Sequence, residues 1–121
     1  EVEKMFRLAV FNVMAHNQDD HAKNFTFLMN EFGEWKLSPA YDLTFSNGPG
    51  GEQSTMVLGE GRNITVKHLS KLGEEAQLSK EFIENVIEQT LSALGKWQSL
   101  SKKYGVSDVN MQLISKTISK F

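Results

Sequence analysis

Asp19 and Asn24 stand five positions apart in NQDDHAKNFTF (residues 17–27), and Asp42 follows in the segment AYDL. Two carboxylates and an amide oxygen are hard donors. They suit Mg²⁺, which keeps several waters and takes further ligands from phosphates. Phosphoryl transfer asks for this set: a carboxylate beside the attacking hydroxyl, and metal ions bridging the nucleotide phosphates. A base and a metal ligand that serve neighbouring atoms of one substrate belong on one short, rigid segment. The plain alternative is a solvated turn, where Asp and Asn are common.

The elements around this loop follow from periodicity. Val2, Met5, Phe6, Ala9, Val10 and Val13 recur on one helical face, with Glu1, Glu3, Lys4, Arg7 and Asn12 on the other, which predicts a helix over about residues 1–15. It delivers a polar loop at 16–24. Phe25, Phe27 and Met29 alternate with Thr26 and Leu28, and after a turn holding Gly33 the run Trp35-Lys36-Leu37 answers as a second strand. The hairpin spans 25–38, with Phe25, Phe27 and Trp35 expected as its core. It returns the chain so that Asp42, in the segment 40–44, faces Asn24. Pro39 ends the second strand, and the glycine-rich NGPGGEQS (47–54) reads as a flexible connection, its glycines at 48–51 having no regular pattern.

A brief strand is expected in TMVLGEGRN, then three helices. Thr65 caps one that runs to about Leu72. Ser79 caps a second, with Phe82, Ile83, Val86, Ile87, Thr90, Leu91 and Leu94 as its apolar stripe and Gly95 at its end. Ser107 or Asp108 starts the last, with Leu113, Ile114 and Ile118 facing inward. The fold class is mainly α, in the α+β sense, with a β-hairpin after the first helix and a helical tail over 65–121.

At 121 residues the chain fits one domain, 1–121, able to bury a core without disulfides. Its 13 basic and 15 acidic residues are well mixed and the formal charge is −2, so direct nucleic-acid binding and a cationic membrane face are not expected. There is no cysteine, which removes thiolate zinc sites and cysteine nucleophiles. No apolar stretch approaches the ~18 residues of a membrane span, and a cytoplasmic protein is the natural expectation. Glu1 falls inside a helical pattern already running by Val2, which reads as a piece of a longer protein.

Protein kinases use a catalytic-loop Asp, an Asn five residues later that binds metal, and a second metal-binding Asp beyond a hairpin. Asp19, Asn24 and Asp42 have that order and spacing. More specifically, DDHAKNFTFL followed by LSPAYDL resembles the HipA-type serine/threonine kinase toxins of bacterial toxin–antitoxin systems, in the helical C-terminal part of the kinase core. The likeness is strongest over residues 12–45, and NITVKHL with the two helices after it resembles the family's tail more loosely.

The resemblance implies a kinase C-lobe-like helical domain using ATP and Mg²⁺. Asp19 would be the base that orients a serine hydroxyl, with Asn24 and Asp42 as metal ligands. His21, Ala22 and Lys23 would line the nucleotide phosphates, and Tyr41 would flank the metal site. It further implies a protein substrate, a translation factor or an aminoacyl-tRNA synthetase, and a DNA-binding antitoxin partner.

Departures and alternatives stand beside this. Asp42 is followed by Leu43 and Thr44, so no DFG switch is supported, and neither GPGG nor GEG has the strand-loop-helix context of a phosphate-binding loop. With no strand lysine or phosphate-covering loop, the chain alone is expected to bind Mg-ATP weakly and to transfer no phosphate. Asp20 competes for the base role but stands only four residues before Asn24. His21 serves equally as a phosphate contact or a loop brace. His16 and His21 with Asp19 or Asp20 could form a zinc hydrolase site, although the helical i, i+4 pair is missing and His68 is distant. A non-catalytic helical interaction module that keeps the loop as a brace is the reading from another class.

Overall fold

The computed structural model describes the backbone of residues 1–121 and every side chain except those of Lys23 and Pro49. In chain order it runs α1 (Val2–Met14), a 3-10 turn (Ala22–Asn24), β1 (Phe27–Met29), β2 (Trp35–Leu37), a 3-10 turn (Pro49–Gly51), α2 (Val66–Glu75), α3 (Lys80–Leu94), α4 (Trp97–Lys103) and α5 (Asp108–Ile118). The architecture is α+β, with the two strands forming an antiparallel hairpin behind the first helix.

The amphipathic face of α1 buries Phe6, Val10, Val13 and Met14. They join Leu69 of α2, Ile83, Val86 and Ile87 of α3, and Val57 and Ile64 from the segment before α2. Asn12 was expected on the solvent side but is 2% exposed, because its Oδ1 accepts the Asn17 Nδ2 at 3.0 Å. α1 stops where His16 enters the left-handed region at φ 56°. There the Asn17 N–H donates to the Asn12 carbonyl at 2.8 Å, closing the last turn and sending the polar loop away from the helix.

α2 and α3 meet closely at Gly73. A Cβ there would lie 2.6 Å from Ile83 Cγ1 and 3.1 Å from Phe6 Cε2. Gly73→Ala is therefore expected to destabilise by about 1–2 kcal/mol, because the Ile83 side chain can shift only into a filled core. A lower urea midpoint at unchanged m-value would show it.

The expected strand in 55–63 reduces to one bridge, Val57 with Glu60. The Glu60 carboxylate holds the turn that follows, accepting the Asn63 and Arg62 N–H groups at 2.9 and 2.8 Å. These bonds, Asn63's first, hold its carboxyl below the ordinary 4.5. A lowered folded-state pKa means the contribution is complete above the ordinary value and is lost as pH falls through the depressed one. Glu60→Gln should flatten the acid limb of stability between about pH 5 and 3, with little change near neutrality. Equal acid slopes for the two proteins would contradict this.

The hairpin differs from expectation. Its register pairs Phe27 with Leu37, Leu28 with Lys36 and Met29 with Trp35. Leu37 is buried and Phe25 half-buried, but Phe27 is 48% and Trp35 62% exposed, so these two are not a core. A two-stranded ribbon has no inner layer of its own. An open groove of about 720 Å³ separates it from α1, with Leu8, Phe11, Leu28, Met29 and Leu37 among its walls.

Two differences occur in the tail. A short helix, α4, fills the stretch after Gly95, and its Trp97 indole N–H donates to the Met111 carbonyl at 3.1 Å. In α5 Met111 is buried and Ile114 and Ile118 are half-buried, while Leu113, expected inside, is 59% exposed. The N-caps Ser79 and Ser107 accept the Phe82 and Asn110 N–H groups as expected. Among the described residues, no helix is long and apolar enough to cross a membrane.

Candidate active site

Residues 16–24 connect α1 to the hairpin, with Asn17, Gln18 and Asp20 buried. Gln18 and Asp20 are 6% and 4% exposed, whereas the Asp19 side chain between them is 51% exposed. Buried polar groups need partners, and these have them. The Gln18 N–H donates to the Ser46 carbonyl, and its carbonyl accepts both the N–H and the hydroxyl of Ser54 at 2.9 and 2.7 Å. Its Oε1 accepts the Gly48 N–H at 3.2 Å. The Asp20 Oδ1 accepts the Thr55 N–H at 2.8 Å, and the Asp20 carbonyl accepts the Thr55 hydroxyl at 2.5 Å.

Asn24 closes the loop from the other end. Its Nδ2 donates to the Asp19 carbonyl at 2.8 Å. With the NH₂ group committed there, the Oδ1 is the end of the amide left to ligate a cation. The backbone between them forms one 3-10 turn, with Ala22 exposed and the Asn24 N–H donating to the His21 carbonyl at 2.9 Å. The His21 Nε2 lies 3.6 Å from Asp19 Oδ1, and among the described residues its buried Nδ1 has no partner. The expectation for Lys23 falls on a side chain outside the described ones.

Asp42 is exposed and holds a left-handed backbone at φ 53°. Such a conformation is uncommon outside glycine, although Asp tolerates it better than most residues. Its neighbour Tyr41 shares a hydrogen bond with the Thr26 hydroxyl at 2.6 Å, and the Ser38 N–H donates to the Thr26 carbonyl at 2.7 Å. The segment carrying Asp42 is thus tied beside Thr26, just beyond Asn24. Asn24 Oδ1 and the Asp42 carboxylate are oxygen donors on two anchored segments, the donor type that Mg²⁺ takes beside water and phosphate.

The zinc alternative fails on placement. His16 Nε2 is 3.0 Å from Asn47 Oδ1 and its ring stacks on Phe45, while His68 Nδ1 accepts the Thr65 N–H at the start of α2. Among the described residues, no three His, Cys, Asp or Glu side chains are grouped to hold a metal.

The glycine-rich segment also differs from a loose connection. The Ser46 N–H donates to the His16 carbonyl at 3.0 Å, and the Gln53 Nε2 donates to the Asn17 carbonyl at 2.7 Å. Arg62 reaches both the Gly50 carbonyl and Glu52 at 3.0 Å. Residues 46–48 and 53–55 strap the polar loop from two sides. Gln18, Gln53, Ser54 and Thr55 were not singled out in the sequence, since their partners lie 30 to 36 positions away.

The model of the family described as HipA-like C-terminal domain matches residues 1–97. Over 105 aligned residues the chain is 26% identical to the Sinorhizobium fredii protein named "Putative kinase Y4mE", covering 79% of this chain and 25% of that protein. The chain thus spans about a quarter of the length of the curated relative it matches. With the family match extending over most of the chain, from α1 through the polar loop and hairpin to the end of α3, this protein belongs to the HipA-like C-terminal domain family.

Proposed function

We propose that the chain is the C-terminal part of an ATP-dependent serine/threonine protein kinase of toxin–antitoxin type. The observation that carries this is the pairing of an outward-facing Asp19 with an Asn24 whose amide nitrogen is spent on the Asp19 carbonyl. In this reading Asp19 orients the acceptor hydroxyl and takes its proton, while Asn24 Oδ1 and Asp42 hold Mg²⁺. When bound, the metal and nucleotide supply charge neutralisation and the transferable phosphoryl group. His21 and Ala22 present the 3-10 turn toward the phosphates, and Tyr41 keeps Asp42 in place through Thr26.

The cellular counterparts belong to the same proposal: a serine-bearing translation protein as substrate, a DNA-binding antitoxin as partner, and the cytoplasm as location. The isolated chain is expected not to transfer phosphate, because its glycine segments brace the loop instead of covering a nucleotide. The test is transfer from labelled ATP by the complete parent protein, wild type beside Asp19→Asn, with and without Mg²⁺. Labelling that needs the metal and is lost in the variant supports the kinase.

A second reading is favoured by the exposed hairpin, where Phe27, Met29, Phe32 and Trp35 present apolar surface. A non-catalytic interaction module would use that face to bind a partner protein. No labelling by the wild-type parent, with several translation proteins supplied, would favour the module.

A further inference from the structure

We propose that Asp20 and Thr55 form a clamp that aims Asp19, so that Asp20 is a positioning residue and not a second candidate base. The inference rests on the kinase reading for its consequence, but its geometry stands apart from it. Asp19 stands between Gln18 and Asp20, both held inward by bonds to residues 48 and 55, and Asn24 fixes its carbonyl, so the exposed Asp19 side chain is anchored on both sides.

Of the two inward anchors, Asp20 is the one bound through both side chain and backbone to a single residue. Thr55 donates its N–H to the Asp20 carboxylate and its hydroxyl to the Asp20 carbonyl. The second bond uses a β-hydroxyl, so only Ser or Thr can make both. At 4% exposure the Asp20 carboxylate is turned away from any acceptor hydroxyl reaching the exposed Asp19. The clamp also joins the loop to the segment 53–57, so displacement of that segment would swing Asp19. A misplacement of about 1 Å at a reacting group lowers the rate roughly 100-fold.

The experiment uses the full-length parent protein carrying Asp20→Ala, Asp20→Asn, Thr55→Val or Asp19→Asn, assayed well below each variant's Tm. Asp20→Asn keeps an Oδ1 acceptor for the Thr55 N–H, whereas Asp20→Ala does not. Expected are a kcat lowered about 10- to 100-fold in Asp20→Ala, with KM for ATP within about twofold, and recovery to within about threefold of wild type in Asp20→Asn. Thr55→Val, lacking the hydroxyl, should fall between. Amide hydrogen exchange at residues 17–20 and 53–57 should quicken in Asp20→Ala and not in Asp20→Asn.

If Asp20→Asn is as inactive as Asp20→Ala while Asp19→Asn still turns over, Asp20 is the base and the proposal is overturned. A lowered Tm with unchanged kcat per folded molecule also overturns it, leaving Asp20 a stabilising residue alone. Should the wild-type parent transfer no phosphate, the kinase reading falls, and exchange alone judges the clamp: quickened in Asp20→Ala supports it, unchanged sinks it.

Discussion

Asp19→Ala in the full-length parent is expected to slow phosphate transfer by about 10²- to 10⁴-fold, the range for removal of a positioned general base. Mg-ATP affinity should stay within about twofold, because in this reading Asp19 meets the acceptor hydroxyl and not the metal. Asp42→Ala should behave the other way, weakening Mg-ATP binding itself. The division follows from placement. Asp19 sits outward between two buried neighbours, whereas Asp42 stands on the separate segment that Tyr41 ties to Thr26. Titrating nucleotide into both variants in the presence of Mg²⁺ separates the roles, and equal loss of binding in the two would contradict them.

Gly48→Ala should produce the second large effect. A Cβ at this position would collide with the Glu52 carbonyl oxygen and lie 2.8 Å from the Gln18 carbonyl oxygen. Both neighbours are backbone, so relief requires moving the chain and not a side-chain tip. The Gly48 N–H is also the donor to Gln18 Oε1, so any retreat of the segment pulls on the loop that carries Asp19. A destabilisation of about 3 kcal/mol is expected, at the upper end for overpacking. Transfer by the folded fraction should fall about 100-fold through displacement of Asp19. Gly50→Ala is the natural comparison. Nothing lies within 4 Å of a Cβ there, and its left-handed φ of 67° is the main obstacle. A smaller loss at Gly50 than at Gly48 would show that the close approach to the polar loop matters, and similar losses would show that it does not.

Much of the fold was legible because it is local. The stripe on α1, the caps Thr65 and Ser79, the stop at Gly95 and the turn at Gly33 are set by residues within a few positions of one another. Where burial depends on a distant surface, reading by period went astray. Leu113 was placed inside because it fits a helical stripe, yet the buried residue of α5 is Met111, whose carbonyl the Trp97 indole N–H reaches. Phe27 and Trp35 have strand character but no layer to cover them, and the short helix α4 carries no cap or long stripe to announce it.

The candidate site divides along the same line. Spacing alone put Asp19 and Asn24 on one short loop and Asp42 beyond a hairpin, since both relations are counts along the chain. Which of two adjacent aspartates faces out could not be counted. It was decided by Ser46, Gly48, Ser54 and Thr55, residues 28 to 36 positions away that satisfy the buried neighbours of Asp19. The glycine-rich segment was likewise decided in three dimensions. Its composition permits flexibility, but its backbone groups are hydrogen-bonded to the polar loop, and a hydrogen bond to a distant partner leaves no mark in local sequence.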